Sequence, residues 1–135
     1  MENKHKHLDM LQGIINRMAS NSFMLKGWSV TLIAGIFALA SKDTDKIYFL
    51  ITYVPIIAFW GLDAYYLRQE RLYRKLYDKV RTTNESEIDF SMNATLPEFV
   101  VPKTSYINTL LSPTALWFYF PLALLTAIVT MLSLR

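Results

Sequence analysis

Three long stretches without a charged residue constrain this chain more than any other feature. Asp, Glu, Lys and Arg are all missing from residues 27–41, 47–62 and 104–134. A surface helix of a soluble domain needs a polar face, so the charges of a soluble protein of 135 residues are spread more evenly. The pattern therefore predicts a membrane protein and argues against a soluble enzyme.

The first two charge-free stretches predict two membrane-spanning helices. The first span runs from about residue 23 to 41, and the second from about residue 47 to 67, with Asp63 as its one acidic residue. Pro55 lies inside the second span and should kink that helix, because proline removes a backbone donor and crowds the preceding turn.

The third span covers residues 114–134 and is long enough to cross a bilayer, which takes about 20 residues. Ser112 and Pro113 come just before it. A capping hydroxyl followed by proline at the first helical position is typical of a helix start.

The distribution of positive charge predicts the orientation of these spans. With the amino terminus in the cytoplasm, the outside holds only Lys42, Lys46 and Arg135, and the cytoplasm holds the other eleven of the 14 lysines and arginines. The positive-inside rule therefore favours a cytoplasmic amino terminus and an external carboxyl terminus.

The apolar pattern continues from both of the first two spans into polar sequence. Leu8, Leu11 and Ile15 recur at helical spacing before span one, and a similar stripe follows span two through residues 67–81. A continuous helix over residues 7–40 would be about 51 Å long, which exceeds the roughly 30 Å of a bilayer core. We therefore expect a helical hairpin that extends into the cytoplasm.

Residues 82–112, here called the connector, are polar, acidic at first and then punctuated by prolines. Residues 88–92 alternate like a short strand that residues 99–101 could pair with. A segment of this length cannot form its own core, so we expect it to pack on the helical hairpin or on a neighbouring subunit.

These features predict an all-α membrane protein with three transmembrane helices and a short irregular or β-like cytoplasmic segment before the third. The predicted parts are an amphipathic cytoplasmic helix (1–22), a transmembrane hairpin (23–67), a basic helix with the connector (68–113) and the third transmembrane helix (114–135).

No side chains in the sequence suggest catalysis or metal binding. The chain has no cysteine and two histidines, His5 and His7, which we expect on a frayed basic end. Phosphate-binding loops, nucleophile elbows and zinc-protease motifs are absent as well. We therefore predict neither an enzyme nor a bound metal or cofactor.

Asp63 is the first candidate functional residue, because an ionisable group within a span is costly and is retained for a reason. One interpretation places it in the membrane interior as a functional group. The other places it at the cytoplasmic interface, facing Lys26 or Arg17 of the partner helix, and we favour the second.

Three sets of small or polar residues, one on each span, suggest packing or pore-lining faces. Span one has a small-residue face, which could pack within the hairpin or between subunits: Gly27, Thr31, Ala34, Gly35 and Ala38. Span two offers Ala58, Gly61 and Ala64. Span three carries Thr126, Thr130 and Ser133, which could line a water path or hydrogen-bond to their own helix backbone.

Six basic residues follow span two on one predicted helix: Arg68, Arg71, Arg74, Lys75, Lys79 and Arg81. They could be an ordinary positive flank that touches anionic lipid. Alternatively, they could bind a phosphate-bearing ligand such as a nucleotide or oligonucleotide.

Residues 21–32 (NSFMLKGWSVTL), residues 59–71 (FWGLDAYYLRQER) and the run Asp89-Phe90-Ser91-Met92 resemble small bacterial membrane proteins of phage-defence operons. These include SLATT-like effectors and the channel effector of Hailong-type systems. The resemblance implies an oligomeric inner-membrane effector that a nucleotide-synthesising partner protein controls and that depolarises or kills the cell.

Our leading hypothesis is a homo-oligomer of four or more subunits that conducts ions or perturbs the membrane in anti-phage defence. It is gated from the cytoplasm by a nucleotide or oligonucleotide signal. The alternative is a non-conducting membrane scaffold that recruits a soluble partner through residues 68–113.

Overall fold

A computed structural model describes residues 2–42 and 47–133, and these residues contain helices and turns but no strand. Met1, residues 43–46 in the predicted loop between the first two spans, and residues 134–135 lie outside the described residues. The helices are α1 (Glu2–Lys42), α2 (Ile47–Ile51), α3 (Tyr53–Thr82), α4 (Tyr106–Leu110) and α5 (Pro113–Ser133). Three 3-10 turns lie between α3 and α4, at Glu85–Glu87, Pro97–Phe99 and Pro102–Thr104.

Helix α1 is one uninterrupted helix of 41 residues, about 62 Å long at 1.5 Å per residue. The prediction of a continuous helix from the amphipathic segment through span one is confirmed, and the helix passes residues 22 and 23 without a break. Leu11, Ile15 and Ile33 are buried on the side that packs against α3. Their spacing continues the stripe of threes and fours read from the sequence.

The second predicted span is divided between α2 and α3, with the break at Thr52. Pro55 explains the position, because its missing N–H would have bonded to the carbonyl of Ile51, the last residue of α2. The Tyr48 carbonyl accepts bonds from the Thr52 N–H at 3.3 Å and from the Thr52 hydroxyl at 3.1 Å, so the helical bond of this turn is kept. The interruption lies three residues before the proline, and Thr52 itself keeps helical backbone angles, with φ −58° and ψ −30°.

The connector packs on the paired ends of α1 and α3, which we call the stalk (residues 2–20 and 68–82). One apolar cluster joins the three parts: Leu11 from α1, Leu72, Leu76 and Val80 from α3, and Ala94 and Phe99 from the connector. Packing on the chain's own hairpin was one of the two arrangements expected for this segment.

The predicted strand over residues 88–92 is wrong, because this part of the chain hydrogen-bonds to its own side chains. Phe90 has a φ of 55°, outside the extended region that a strand requires. The Ser91 N–H donates to Asp89 Oδ1 at 3.1 Å, and the Asn93 N–H donates to Ser91 Oγ at 3.1 Å. These local bonds replace the inter-strand bonds that alternation alone suggested.

Helices α1 and α5 are long and apolar enough to cross a membrane, and only 17% of the most apolar window of each is buried. Large apolar side chains face outward on α1, α3 and α5, for example Phe23, Ile57 and Trp117, which is 81% exposed. This much exposed apolar surface suits contact with lipid rather than with water.

Helix α5 begins at Pro113, and the Ser112 hydroxyl accepts a bond from the Ala115 N–H at 3.3 Å. The helix start expected from Ser112 and Pro113 is therefore confirmed. The predicted third span ended at residue 134, which lies beyond the described part of α5.

Candidate functional site

Four polar side chains from α1, α3 and α5 meet in a polar cluster formed by Ser22, Lys26, Asp63 and Tyr119. Asp63 is only 2% exposed, and its Oδ2 atom is 2.5 Å from Lys26 Nζ. The Ser22 hydroxyl donates to the other carboxylate oxygen, and Lys26 Nζ also donates to Ser22 Oγ at 3.0 Å. Ser22 and Lys26 are four residues apart, so the α-helix places both on the same face of α1.

Aromatic rings form the wall of this cluster on the α5 side. Lys26 Nζ lies 5.9 Å from the ring centroids of both Phe118 and Tyr119, a distance at which rings attract a cation. Trp60 stacks on Tyr119 with centroids 5.9 Å apart and planes at 5°, and its indole N–H donates to the Leu110 carbonyl at 2.8 Å. Asp63 is almost fully enclosed, whereas the Lys26 side chain keeps 17% of its surface exposed.

Tyr119 is fully buried, and its hydroxyl lies beside the Asp63 carboxylate. Helix α5 therefore contributes a polar group to the same buried cluster.

Asp63 is therefore paired with Lys26, one of the two partners named from the sequence, and not with Arg17. Its burial was not foreseen. Taking two charges out of water is costly, and removing either partner of such a pair leaves an uncompensated charge. The pair holds α1 and α3 in one register, and α5 covers it.

The small-residue face of α1 lies on the exposed side of the helix. Its five members, Gly27, Thr31, Ala34, Gly35 and Ala38, are all exposed. A Cβ atom added at Gly27 or Gly35 would meet no atom of another element within 4 Å in the described part of the chain. These two glycines therefore leave room for another helix to approach α1 closely.

The small residues of the second predicted span differ in how far they are buried. Ala64 is fully buried, whereas Ala58 is exposed. The Gly61 carbonyl accepts a bond from the Tyr106 hydroxyl at 2.8 Å, and a Cβ at this glycine would be 3.3 Å from the same hydroxyl. Gly61 therefore lets the connector approach α3 closely.

The threonines of α5 bond to their own helix. Thr126 is fully buried and donates to the Leu122 carbonyl at 2.9 Å, and Thr130 donates to the Thr126 carbonyl at 2.7 Å. Ser133 is exposed. Since Thr126 faces the inside of the protomer, this stripe presents no continuous polar surface for a water path.

Two of the six predicted basic residues hold the connector to α3. Arg68 Nε donates to the Thr104 carbonyl at 3.0 Å, and Arg71 Nη1 donates to Asn108 Oδ1 at 2.9 Å. Their charges are therefore partly committed to internal contacts.

Three further basic residues face carboxylates. Arg74 Nη2 is 2.8 Å from Glu70, Lys79 Nζ is 2.7 Å from Glu98, and Arg81 Nη2 is 3.7 Å from Asp78. The hydrogen bond to Glu98 raises the pKa of Lys79, while slight desolvation opposes that shift. These exposed pairs contribute little to stability, but they reduce the positive field of the helix.

A shallow groove of about 440 Å³ remains between α3 and the connector. We call it the basic groove; it is lined by Arg71, Arg74, Lys75, Asp78, Thr104 and Asn108. Arg68, Lys79 and Arg81 lie outside it, so the structure brings together half of the predicted basic cluster.

His7 is buried, and the expectation of a frayed basic end is wrong for this residue. Its Nε2 atom is 3.0 Å from the Ser91 carbonyl, and its ring lies 5.5 Å from that of Phe90. Lys4 Nζ also donates to the Thr83 carbonyl at 2.8 Å. The spacing of four between His7 and Leu11 was the available signal, because it continues the buried stripe.

In the described part of the chain, no group of three or more His, Asp or Glu side chains is placed to hold a metal ion. No family model, curated protein or solved structure gives a significant match to this chain.

Proposed function

We propose that this chain is a subunit of a homo-oligomeric assembly in a bacterial inner membrane that conducts ions or perturbs the membrane. The observation that carries the proposal is the small-residue face of α1, which is exposed along a helix apolar enough to cross a membrane. Small side chains let helices approach closely in lipid, so this face suits contact with another subunit.

The proposed topology has three spans, with the amino terminus in the cytoplasm and the carboxyl terminus outside. Helices α1, α3 and α5 meet at the polar cluster, and from that level α1 continues about 24 Å to Lys42 and α5 about 21 Å to Ser133. A bilayer core is about 30 Å thick, so the cluster lies about one helical turn inside its cytoplasmic boundary. The basic stalk then projects into the cytoplasm.

The basic groove is the proposed site for a phosphate-bearing ligand. Arg71, Arg74 and Lys75 bring three positive charges to the groove against the one negative charge of Asp78, and Asn108 accepts a hydrogen bond from the Arg71 guanidinium. Charge-assisted hydrogen bonds to phosphate are strong, and a preoriented guanidinium loses less entropy on binding. By the resemblance to phage-defence effectors, a nucleotide-synthesising partner protein would supply this ligand.

Two matched variants test the ligand site. Arg74 and Arg81 each pair with an acidic residue on the same helix and are 58% and 60% exposed, but only Arg74 lines the groove. We expect Arg74→Gln to weaken binding of a fluorescent single-stranded oligonucleotide several-fold more than Arg81→Gln does. Equal losses in the two variants, or no binding at low salt, would remove the ligand site from the proposal.

Ion flux tests the function itself. Proteoliposomes should leak ions faster than empty liposomes, and the oligonucleotide should change that rate. Intact oligomers without flux in either condition would favour the non-conducting scaffold, with residues 68–113 as the surface for a soluble partner.

A further inference from the structure

The basic groove opens close to the membrane surface, because its connector wall includes α4. Two hydrogen bonds tie this short helix to α3. The Tyr106 hydroxyl donates to the Gly61 carbonyl at 2.8 Å, and Trp60 Nε1 donates to the Leu110 carbonyl at 2.8 Å. Gly61 and Trp60 precede Asp63 by less than one helical turn. Helix α4 therefore lies at the level of the polar cluster, near the cytoplasmic boundary of the bilayer core.

The positive charges of the groove lie at the depth of the lipid headgroups. Arg71 follows Asp63 by eight residues on α3, so it lies about 12 Å nearer the cytoplasm. Since the polar cluster lies about one turn inside the bilayer core, Arg71 is about 7 Å outside it, and the headgroup layer is roughly 5–8 Å thick on each side. Arg74 lies nearly one turn farther out, but its guanidinium reaches back toward the membrane to Glu70 at 2.8 Å.

The groove keeps a surplus of positive charge. Arg71, Arg74 and Lys75 line it together with Asp78, and Glu70 pairs with Arg74 from the same helix. Three positive charges therefore face two negative ones. A surplus of one positive charge complements a headgroup with a single phosphate diester, and it favours a zwitterionic headgroup less, because the charges of that headgroup cancel.

A second groove, of about 410 Å³, adjoins the basic groove, because Asn108 lines both. It lies between the connector and the start of α5, and its apolar walls include Ile107, Leu111 and Pro113. Ile107 and Leu111 are 69% and 54% exposed. Apolar side chains exposed at the edge of a bilayer suit contact with acyl chains rather than with water.

The apolar surface continues along α5 into the membrane. Pro113, Trp117 and Pro121 follow one another at intervals of four residues, so they lie on the same side of the helix. Trp117 and Pro121 line a third groove, of about 530 Å³, together with Leu116 and Phe120. The three grooves thus form a path, here called the lipid path, from a positively charged site at headgroup depth to an apolar face in the bilayer core.

We propose that the lipid path binds one anionic phospholipid of the cytoplasmic leaflet, with its phosphate in the basic groove and an acyl chain along Ile107, Leu111 and Trp117. The proposal rests on the membrane orientation and the phosphate site of the proposed function. A lipid headgroup and an oligonucleotide offer the groove the same phosphate chemistry, but only the lipid has acyl chains for the apolar walls. The bound lipid and the oligonucleotide therefore exclude each other from the groove.

The first test compares two lipids that share their acyl chains and differ in headgroup charge. Native mass spectrometry of the full chain in detergent should show phosphatidylglycerol retained several-fold more than phosphatidylcholine. Arg74→Gln should remove this preference, whereas Arg81→Gln, which lies outside the groove and is similarly exposed, should keep it. Equal retention of the two lipids by the unsubstituted chain, or equal losses in the two variants, would overturn the proposal.

The second test isolates the contact with the acyl chain. Ile107 and Ile57 are 69% and 68% exposed, but only Ile107 lines the lipid path. Ile107→Ala should lower the retention of phosphatidylglycerol several-fold more than Ile57→Ala does, while the connector stays docked by limited proteolysis. Leu111→Ala should act as Ile107→Ala does, so the test does not depend on one variant. Retention that is equal in all three variants would overturn the proposal.

Competition separates this proposal from the proposed function. Phosphatidylglycerol added to the detergent should raise the half-saturating concentration of the fluorescent oligonucleotide several-fold, and phosphatidylcholine should not. Oligonucleotide binding that phosphatidylglycerol leaves unchanged would overturn the lipid site and leave the proposed ligand site standing. Retention of phosphatidylglycerol that depends on Arg74 and Ile107, in a chain that binds no oligonucleotide, would support the lipid site and remove the proposed ligand.

Discussion

Lys26 and Asp63 lie 37 residues apart in the sequence and form the most buried ion pair in the described part of the chain. The two partners are not equivalent. Lys26 can extend its ammonium toward the headgroups when its counter-ion is removed, whereas Asp63 is fixed by its short side chain among α1, α3 and α5. Because of this asymmetry, replacing the two residues one at a time should change the stability of the protein by different amounts.

We predict that Lys26→Met destabilises the protein by about 3–5 kcal/mol, and Asp63→Asn by clearly less. The double variant should lose less stability than the sum of the two single variants, because the carboxylate that lacks a partner in Lys26→Met is absent from it. Unfolding free energies in detergent micelles would measure this cycle. Additive and equal losses would mean that the two side chains are not coupled.

The sequence was informative about this pair only in part. The position of Asp63 near the end of an apolar run identified Lys26 and Arg17 as the possible partners. Burial could not be inferred, because it depends on α5, whose Tyr119 lies 56 positions further along the chain. For His7, the spacing of four from Leu11 indicated the buried face, but the partner Ser91 is 84 residues away and could not be inferred.

At the scale of helices and turns, the connector is held by one apolar cluster and by polar contacts at its two ends. Phe99 is 4% exposed in that cluster, whereas the next residue, Val100, is 49% exposed. The connector contains no long helix of its own, so its order depends on contacts with the stalk.

We therefore expect Phe99→Ala to undock the connector and Val100→Ala to leave it in place. Truncating a buried phenylalanine typically costs about 3–5 kcal/mol, whereas an exposed valine contributes little. Limited proteolysis between residues 83 and 112 should accelerate at least tenfold in Phe99→Ala. Equal cleavage rates in the two variants would show that this cluster does not hold the connector.

Elements with one dominant local pattern were predictable from the sequence. Segments in which side chains compete with a neighbouring strand for the backbone hydrogen bonds were not. The apolar stripe predicted α1, and the charge-free run after Ser112 and Pro113 predicted α5. The strand at residues 88–92 failed because alternation reports which side chains face in opposite directions, not which groups satisfy the backbone. There, Asp89 and Ser91 supply the bonds that a neighbouring strand would have supplied.

At the scale of the whole molecule, the packed helices divide into an apolar part and a basic stalk on opposite sides of the polar cluster. The proposed orientation places the stalk in the cytoplasm. An alkaline phosphatase fused after Arg135 should therefore be active, and a fluorescent reporter that folds only in the cytoplasm should stay dark. The opposite pattern would reverse the orientation and remove the basic groove from the cytoplasm.

The proposed function depends on assembly, because one protomer has few helices with which to enclose a water-filled path. The small-residue face of α1 is exposed and is the proposed contact between subunits. Ala34→Leu and Gly35→Leu fill that face, whereas Ala58→Leu makes the same kind of change at an exposed position on α3. We expect the first two substitutions to weaken assembly and the third to have little effect, because bulky side chains keep helix backbones apart.

Native mass spectrometry of the protein, released from detergent at micromolar concentration, counts the subunits directly. The account predicts a closed assembly of four or more copies for the unsubstituted chain and for Ala58→Leu, and smaller species for Ala34→Leu and Gly35→Leu. An unsubstituted chain that is monomeric under these conditions would contradict it.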